Sequence, residues 1–498
     1  MSTPIHVSVA WPYANGDLHV GHLSGALLPA DIFARYHRLK GNQVLMVSGS
    51  DAHGTPITVE ADKRGLPPRQ LFLQYHRRFL ETQQALGISH DLFTHTDTEN
   101  HHRLAQTFFL RLHSAGYLYR ERRAQLYSER SGTFLPDRYV EGTCPHCGCR
   151  AARGDQCDQC GTPLDATELL EPRSTLDGSR PVLRDTTHWF LDLPAFTERL
   201  LHYLDRQAQH WRPHVRNFSR TLIHNGLQGR PITRDLDWGI RVPLPGWDNK
   251  CLYVWFEALI GYVSASIEWA NRRQQPEAWK AWWYNPAARI YNFLGKDNIP
   301  FHTLIWPAQL LGVGRLDDAD APAVFNLPYD IPANAFMTID HAKFSKSRQQ
   351  AVWLPDLLAH YAPDVIRYAV AAALPETDDS NFSWTEFGRH TNNELIAAWG
   401  NLVHRVLTFA IKHWDGRVPT PGAFRPADQT LCTQIAAGFA TVGELLEAVK
   451  LRAALQEAMR LVRTVNSYLA QAPWFGVVQE DKAAQQQRFT PPSGPLTL

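Results

Sequence analysis

The stretch His6–His22, HVSVAWPYANGDLHVGH, decides the fold class, because it predicts a strand, a turn and the start of a helix in that order. Val7, Val9 and Trp11 occupy alternate positions, as the side chains on one face of a strand do. Pro12 and the turn residues after it interrupt the strand. The pattern is typical of the first unit of an open α/β sheet.

His19 and His22 stand at the predicted start of that helix, with Gly21 between them. Backbone N–H groups at the start of a helix favour anions, and a glycine lets a ligand approach the backbone closely. Two imidazoles on this turn can both donate to a phosphate while charge develops on it. The alternative is that they only cap a helix, in a chain with 23 histidines. The position directly after the first strand favours the phosphate site.

The neighbouring segments complete the unit and repeat it. Apolar residues recur at helical spacing over 23–39, and the short apolar run 44–47 suits a buried parallel strand. Much later, residues 289–294 predict a further strand, and a helical stretch follows over 299–311. Strand, helix and strand in this order favour a right-handed crossover. The sequence therefore predicts an α/β fold: a Rossmann-like doubly wound parallel sheet split by a zinc-knuckle insertion and followed by an all-α helical domain.

These segments divide the chain into five predicted parts. Residues 1–117 form the first half of the sheet domain and 236–330 the second half. Residues 118–235 are a connective insertion with a cysteine cluster. Residues 331–385 carry a lysine-rich loop, and 386–498 form the helical domain, which we expect to be shortened because its end is polar.

The composition limits the function classes. Over 498 residues the chain is 44% hydrophobic and 20% charged, which is ordinary for a globular enzyme. A net charge of +1 gives no global field that attracts nucleic acid, so a polyanion must bind to local patches. No apolar stretch approaches the ~18 residues of a membrane span, and the first residues do not look like a signal peptide. We expect a cytoplasmic protein with no membrane partner.

Five of the seven cysteines fall between Cys144 and Cys160. The pairs Cys144–Cys147 and Cys157–Cys160 are two C-x-x-C knuckles, which can surround one tetrahedral ion. A closed set of four thiolates indicates a structural zinc. Disulfides or a redox pair are the alternatives, and Cys149 or His146 could replace one ligand.

Lys343 and Lys346 lie in the segment KFSKS. Two lysines among small hydroxyl residues can hold a triphosphate and neutralise a departing pyrophosphate. Such a segment alone is usually a solvated basic loop. Its combination with the two histidines after the first strand, some three hundred residues earlier, is far more specific, and it predicts two phosphate-binding elements on one sheet edge.

Six blocks, in order, carry a family resemblance: AWPYANGDLHVGH, SGSDAHGTPI, FLPDRYVEGTCPHCG, YVWFEALIGY, FLGKDNIPFHTLIWPA and KFSKS. Together they resemble the methionyl-tRNA synthetases, a family of class I aminoacyl-tRNA synthetases, over the chain to about Trp474. The resemblance implies a ligase that activates L-methionine with ATP and Mg²⁺ to methionyl-adenylate. It then transfers methionine to the terminal ribose of initiator and elongator tRNA(Met). The expected form is a monomer with one structural Zn²⁺.

The resemblance also implies roles for individual residues. The catalytic residues are expected to be His19, His22, Lys343 and Lys346. ATP is expected to contact Gly21, Gly295, Asp297 and Lys346. Methionine is expected to contact Tyr13, Asp51, Val254, Trp255, Ala258, Tyr262 and His302. The tRNA anticodon is expected to contact Asn401, Arg405, Pro473 and Trp474. The zinc ligands are expected to be Cys144, Cys147, Cys157 and Cys160.

Two other functions stay open at this point. The shortened end is compatible with a paralogue that forms methionyl-adenylate but passes methionine to a non-tRNA acceptor. A non-catalytic binding module that kept the fold is the second alternative, and the intact histidine and lysine motifs argue against it.

Overall fold

The structure is a computed structural model, and it describes residues 2–154, 157, 159–160, 164–207, 209–316, 324–339, 342–343, 351–414, 416–418 and 423–471. For Asp137, Ala342 and Lys343 it describes only the backbone.

The chain forms two compact units, and neither is continuous in sequence. The first contains residues 1–18, 42–84 and 88–333, and the second contains residues 19–41, 85–87 and 334–498. The chain therefore leaves the first unit after its opening strand and returns for the next one. The five-part division given above stays a prediction.

A parallel sheet organises the first unit. Its strands are β1 (Pro4–Val9), β2 (Gln43–Ser50), β3 (Leu92–His95), β4 (Arg289–Gly295) and β5 (Ala333–Asn334). Their order is β5-β4-β1-β2-β3, and β1 pairs in parallel with both β4 and β2. The predicted strands over 44–47 and 289–294 are confirmed, and so is the predicted parallel sheet.

Strand β1 is buried on both of its faces. Val7 and Val9 are fully buried, and His6 and Ser8 between them are fully buried too. The two polar side chains hydrogen-bond each other at 3.0 Å, and the His6 ring bonds Ser266 Oγ at 2.9 Å. Burial lowers the pKa of His6 to about 3, so the ring is neutral. The strand ends at Val9, and Trp11 follows it.

Helices and a large aromatic core surround this sheet. Trp282, Trp283 and Trp306 are among the largest fully buried side chains. The α-helices of this unit outside the insertion are Thr55–Arg64, Pro68–Ala85, Glu99–Ser114, Val254–Arg272, Lys280–Trp283 and Trp306–Val313. Short 3₁₀ and π turns at Lys296–Asn298 and Phe301–Ile305 lead into the last of these. We call Val254–Arg272 the central helix, because twelve of its residues are buried.

The insertion consists mainly of antiparallel strands. Leu118–Ser128 pairs along its length with Val182–Leu191, and Thr133–Phe134 and Arg230–Pro231 lie at the edges of this sheet. A second small sheet is formed by Val140–Thr143, Ala152–Arg153 and Leu170–Ser174. Thr233–Arg234 pairs with Cys251–Leu252. Two helices, Thr197–Gln207 and Pro213–His224, complete this part.

The second unit is mostly helical. Its helical segments are Val20–His22, Leu23–Leu27, Leu28–Leu39, Leu354–His360, Pro363–Ala372, Trp384–Arg389, His390–Gly400, Asn401–Trp414, Pro426–Glu447 and Leu451–Gln471. A small sheet of Met337–Ile339, Ala342–Lys343 and Ser380–Phe382 accompanies them. Within the residues given above, every helix is too short or too polar to cross a bilayer.

One buried carboxylate fixes the first helix of this unit to a much later one. Asp31 is fully buried, and its Oδ2 accepts hydrogen bonds from Arg367 at 2.5 Å and from Arg35 at 2.9 Å. Arg367 also donates to the carbonyl of Leu86 at 3.1 Å. Burying a carboxylate is costly, and pairing with two arginines offsets that cost. The pairing therefore holds the helix Leu28–Leu39, which continues the helical stretch that starts at Val20.

Candidate functional site

The loops that follow β1 and β2 lie side by side in the first unit. Tyr13 and Asp51 form a parallel β-bridge. The N–H of Ala14 donates to the Asp51 carbonyl at 3.1 Å, and the N–H of Asp51 donates to the Pro12 carbonyl at 2.9 Å. Open parallel sheets bind ligands at the carboxyl ends of their strands. Tyr13 and Asp51 therefore stand where the sequence predicted a ligand.

Asp51 is a buried carboxylate with few hydrogen bonds. It is 4% exposed, and its Oδ1 accepts only long bonds, from the Thr96 hydroxyl at 3.5 Å and the His53 backbone N–H at 3.4 Å. Burial, followed by the nearby Glu257, raises the pKa of Asp51 well above its usual value, while His53 opposes the shift. Such a group gains much from a cationic ligand. An α-ammonium group has the required charge.

Three of the residues predicted to contact methionine share one face of the central helix. Val254, Ala258 and Tyr262 are spaced four apart, so they follow one another along the helix. Val254 and Tyr262 are buried. The Trp255 ring stacks on Phe301 with centroids 4.1 Å apart, and it meets Tyr13 edge to face at 6.3 Å. Sequence reasoning missed Phe301, although the residue lies beside the predicted His302.

The Trp11 ring packs so closely against two backbone segments that only a glycine leaves room for it at each. A Cβ on Gly49 would lie 2.5 Å from the Trp11 ring and 2.7 Å from the Thr94 carbonyl, and a Cβ on Gly261 would lie 2.9 Å from the same ring. Trp11 therefore packs between β2 and the central helix. A larger residue at either glycine would displace it.

His302 and Tyr262 form a buried hydrogen-bonded pair. The His302 Nδ1–H donates to the Asn298 carbonyl at 3.0 Å, and Nε2 accepts from the Tyr262 hydroxyl at 2.7 Å. Burial lowers the pKa of His302 to about 4, so the ring is neutral at physiological pH. The pair places a polar oxygen among buried residues.

Gly295 and Asp297 lie at the carboxyl end of β4, which is the strand next to β1. Gly295 is the last residue of the strand, and Asp297 is an exposed residue of the 3₁₀ turn that follows. Both positions suit contact with a ligand at this edge of the sheet.

In the second unit, His19 and His22 lie where the first helix begins. The backbone N–H of His19 donates to Nδ1 of His22 at 3.1 Å, and the two ring centroids are 3.8 Å apart. A neutral imidazole that accepts at Nδ1 carries its proton on Nε2. The start of the helix therefore makes Nε2–H of His22 a donor. Gly21 is half-buried between the two histidines.

The chain on both sides of the lysine segment lies next to this helix start. The N–H of Val20 donates to the Val352 carbonyl at 3.0 Å, and His19 forms an antiparallel bridge with Trp353. Before the segment, Met337–Ile339 contacts Val20–His22. The backbone of Lys343 pairs with Thr338. The side chain of Lys343 and all of Lys346 lie outside the described residues.

The four predicted zinc ligands form one cluster in the first unit. Their Sγ atoms all lie within 4.8 Å of one another. The Sγ atoms of Cys144 and Cys160 are 3.9 Å apart, and those of Cys147 and Cys157 are 3.6 Å apart. A tetrahedral ion with Zn–S bonds of about 2.3 Å needs sulfurs about 3.8 Å apart, whereas a disulfide needs about 2.05 Å. The donor set therefore fits zinc and excludes the disulfide alternative.

The first knuckle has the backbone of a metal-binding turn. The N–H of Gly148 donates to the Cys144 carbonyl at 3.0 Å, and the N–H of Cys144 donates to the Cys149 carbonyl at 2.8 Å. Gly148 has φ +73°, which favours glycine. Cys149 packs against the neighbouring core, and neither it nor His146 belongs to the cluster.

Two of the predicted anticodon residues lie on the helix Asn401–Trp414. Asn401 is exposed and Arg405 is half-buried, one turn apart on the same side. Pro473 and Trp474 lie outside the described residues.

Sequence reasoning also missed a buried charged group beside Asp51. Glu257 on the central helix is fully buried and bonds two histidines, His53 and His101. The available signal was a single carboxylate in the apolar run YVWFEALIGY, since such a residue is buried only with partners.

Known proteins resemble this chain over nearly its whole length. The family described as tRNA synthetases class I (M) matches residues 5–407. A methionine–tRNA ligase from Thermomicrobium roseum is 58% identical over 97% of this chain and 81% of its own length. One from Thermobifida fusca is 50% identical over 95% of this chain and 80% of its own length. A Mycobacterium tuberculosis methionyl-tRNA synthetase, solved in complex with methionyl-adenylate, has a TM-score of 0.78 and 26% identity, covering 98% of this chain and 87% of that one.

Proposed function

This chain belongs to the methionine–tRNA ligases of the class I tRNA synthetase family, and we propose the roles that its own residues take in the ligase reaction. A methionine carboxylate oxygen attacks the α-phosphorus of ATP, and the bond to pyrophosphate breaks. A hydroxyl of the terminal tRNA(Met) ribose then attacks the carbonyl carbon of methionyl-adenylate, and AMP leaves. Charged initiator tRNA(Met) serves initiation and charged elongator tRNA(Met) serves elongation, in the cytoplasm where translation occurs.

Asp51 supports the methionine assignment more than any other single observation. Its buried, poorly bonded carboxylate offers a counter-charge to the α-ammonium group. Trp255, Phe301 and Tyr13 present aromatic faces nearby, and contacts of a thioether with such rings contribute about 0.3–1.5 kcal/mol each. Val254, Ala258, Tyr262 and His302 complete the methionine contacts in this proposal. The neutral Tyr262–His302 pair adds polarity without a competing charge.

The phosphates of ATP are assigned to the histidine and lysine motifs. Nε2–H of His22 donates to a phosphate oxygen as negative charge builds up, together with His19 and the backbone at Gly21. Lys343 and Lys346 neutralise the departing pyrophosphate. Gly295 and Asp297 contact the adenosine. When bound with ATP, Mg²⁺ screens the charge of the phosphates.

The function is tested by ATP–pyrophosphate exchange with each standard amino acid, followed by charging of total tRNA. We expect exchange with methionine only and charging of tRNA(Met). Exchange without charging would indicate the non-tRNA acceptor, and neither activity would indicate a binding module. The double variant Asn401→Ala/Arg405→Ala should keep exchange and lose about 10- to 100-fold in charging, since it removes polar contacts to anticodon bases. Leu407→Ala, an exposed change on the other side of that helix, is the control.

We propose that Cys144, Cys147, Cys157 and Cys160 hold one structural zinc. Metal analysis of the purified protein should find about one zinc per chain. Cys144→Ser should lose the zinc and lower the thermal unfolding midpoint, because a buried ligand is removed from a closed site. Cys149→Ser, at a neighbouring cysteine outside the cluster, should keep the zinc and the wild-type unfolding midpoint. Equal zinc loss in the two variants would contradict this ligand set.

A further inference from the structure

Glu257 joins two parts of the first unit beside the methionine residues. It lies on the central helix between Trp255 and Ala258, and it is fully buried. Its Oε1 is 2.7 Å from Nδ1 of His53, and its Oε2 is 2.6 Å from Nε2 of His101. His53 belongs to the loop after β2, two residues beyond Asp51. The carboxylate therefore ties the loop that carries Asp51 to the helix that carries the side-chain contacts.

His53 is the cation of this group. Its ring is 2% exposed and lies between Glu257 and Asp97, whose Oδ1 is 3.8 Å from Nε2. Burial opposes a charged ring, but Glu257, Asp97 and Asp51 raise the pKa of His53 to about 10. His101 differs, because burial lowers its pKa. A neutral His101 donates Nε2–H to Glu257, and its Nδ1 lies 2.9 Å from the Ser264 hydroxyl oxygen.

Charged groups face His53 from several neighbouring segments, and its protonated ring offsets the negative charge of the carboxylates among them. The titratable groups that face it are Asp51, Glu257, Asp97, His101, His102, His95 and Arg69. Three of these groups are carboxylates. Without the imidazolium, Asp51 and Glu257 would be two buried anions with no cation between them, and one would take up a proton. A protonated Asp51 cannot pair with an ammonium group.

We propose that His53 is a positioning residue for methionine activation: held by Glu257, it balances the charge beside Asp51 and keeps that carboxylate ionised and fixed relative to the central helix. The proposal rests on the function argued above. His53 contacts Asp51 through its backbone N–H and Glu257 through its ring, so it acts through Asp51 rather than on the substrate.

A metal ion is the competing explanation of the same residues. Nε2 of His53, a carboxylate oxygen of Asp97 and Nε2 of His102 all lie within 4.8 Å of one another. Arg69, however, places its Nε 3.1 Å from the other oxygen of Asp97. A guanidinium there already supplies the positive charge that an ion would bring. The two explanations differ in what they require of His102.

The test measures methionine-dependent exchange from about pH 6 to about pH 9. In His53→Asn the amide can still donate to Glu257, but the cation is gone. We expect the KM for methionine to rise about 10-fold on the acid side and to recover at high pH, because a shift of one pKa unit changes the ionised fraction about tenfold. The KM for ATP should not change. A structural role would instead lower kcat and raise both KM values at every pH.

A double variant separates charge balance from packing. His53→Asn/Glu257→Gln removes the buried cation and a buried anion together, so the net buried charge stays as in the wild type and the variant should fold even if the single variant does not. In the double variant, we expect the pH below which the KM for methionine rises to return to the wild-type value or to a lower one. The reason is that the charge of Glu257 itself disfavours an ionised Asp51. A double variant whose KM for methionine begins to rise at a higher pH than that of the wild type would overturn the proposal.

His102→Asn is the matched control, since its ring centroid lies 5.4 Å from that of His53 but it bonds neither Asp51 nor Glu257. An unchanged pH profile supports the proposal, and a profile like that of His53→Asn would overturn it in favour of a metal. A wild-type protein without methionine-dependent exchange would contradict the proposed function instead. A pH-independent defect in His53→Asn, with an active wild type, would contradict only the positioning role.

Discussion

Asp51→Asn is expected to reduce methionine-dependent ATP–pyrophosphate exchange to background. Removing one partner of a buried charge pair costs about 2–5 kcal/mol, which corresponds to about 30- to 5,000-fold in kcat/KM. Asparagine keeps the size and most of the shape of the side chain, so the loss of exchange would be due to the missing negative charge. The measurement is the exchange rate over a range of methionine concentrations.

The same variant should be at least as stable as the wild type near neutral pH. Burial raises the pKa of Asp51 above its unfolded value, so the stability that this group contributes is present in acid and is lost as the pH rises through the folded pKa. An asparagine at position 51 does not ionise, so the variant does not lose this stability as the pH rises. Urea unfolding measures this stability. For the exchange assay, the control is Asp185→Ala, at an exposed ion pair with Arg122. Wild-type exchange in a folded Asp51→Asn protein would refute the methionine assignment.

His22→Ala is expected to lower kcat for exchange by about 10²- to 10³-fold, which is the usual effect of losing one donor to a developing charge. The KM for methionine should change little, because the lost bond goes to phosphate. His22→Gln should recover part of the rate, since its amide places an N–H near the position of Nε2–H.

Helix capping gives a second, smaller effect that must be separated from catalysis. Loss of the bond from the His19 N–H to Nδ1 of His22 should cost about 1 kcal/mol of stability. His360→Ala, at an exposed histidine of the same unit, should leave kcat unchanged. A His22→Ala protein with wild-type kcat would remove this histidine from the catalytic set.

Local patterns in the sequence predicted the sheet well, and they failed where burial depends on distant residues. The segment around Val7 was recognised as a strand because its spacing suits one. That both of its faces are buried depends on residues far along the chain that pack on it, such as Ser266 and Trp283 against His6. Local spacing contains no such information.

The helical part shows a second limit. In the sequence, Leu395, Trp399 and Leu402 follow the spacing of a helix with 3.6 residues per turn, but residues 390–400 form a π-helix, whose bonds span one residue more. Leu402 is buried, while Trp399 is 46% exposed. The wider turn changes which side chains face the core.

The candidate site was predicted mainly through the family resemblance. The motif blocks contain Asp51, Trp255 and His302, which all lie in the first unit, and their contacts with methionine stay predictions. The cysteine spacing predicted a cluster whose sulfurs fit a zinc ion. The Glu257–His53 bond joins residues 204 positions apart, so no short pattern could reveal it.

The bond between Asp31 and Arg367 has a consequence for synthesis on the ribosome. The helix Leu28–Leu39 emerges early, yet the arginine that neutralises its buried carboxylate lies 336 residues later. Until then the apolar side of this helix, including Leu28 and Phe33, has no partner from the later helices. During synthesis this segment therefore exposes apolar surface of the kind that favours aggregation until its later partners are made.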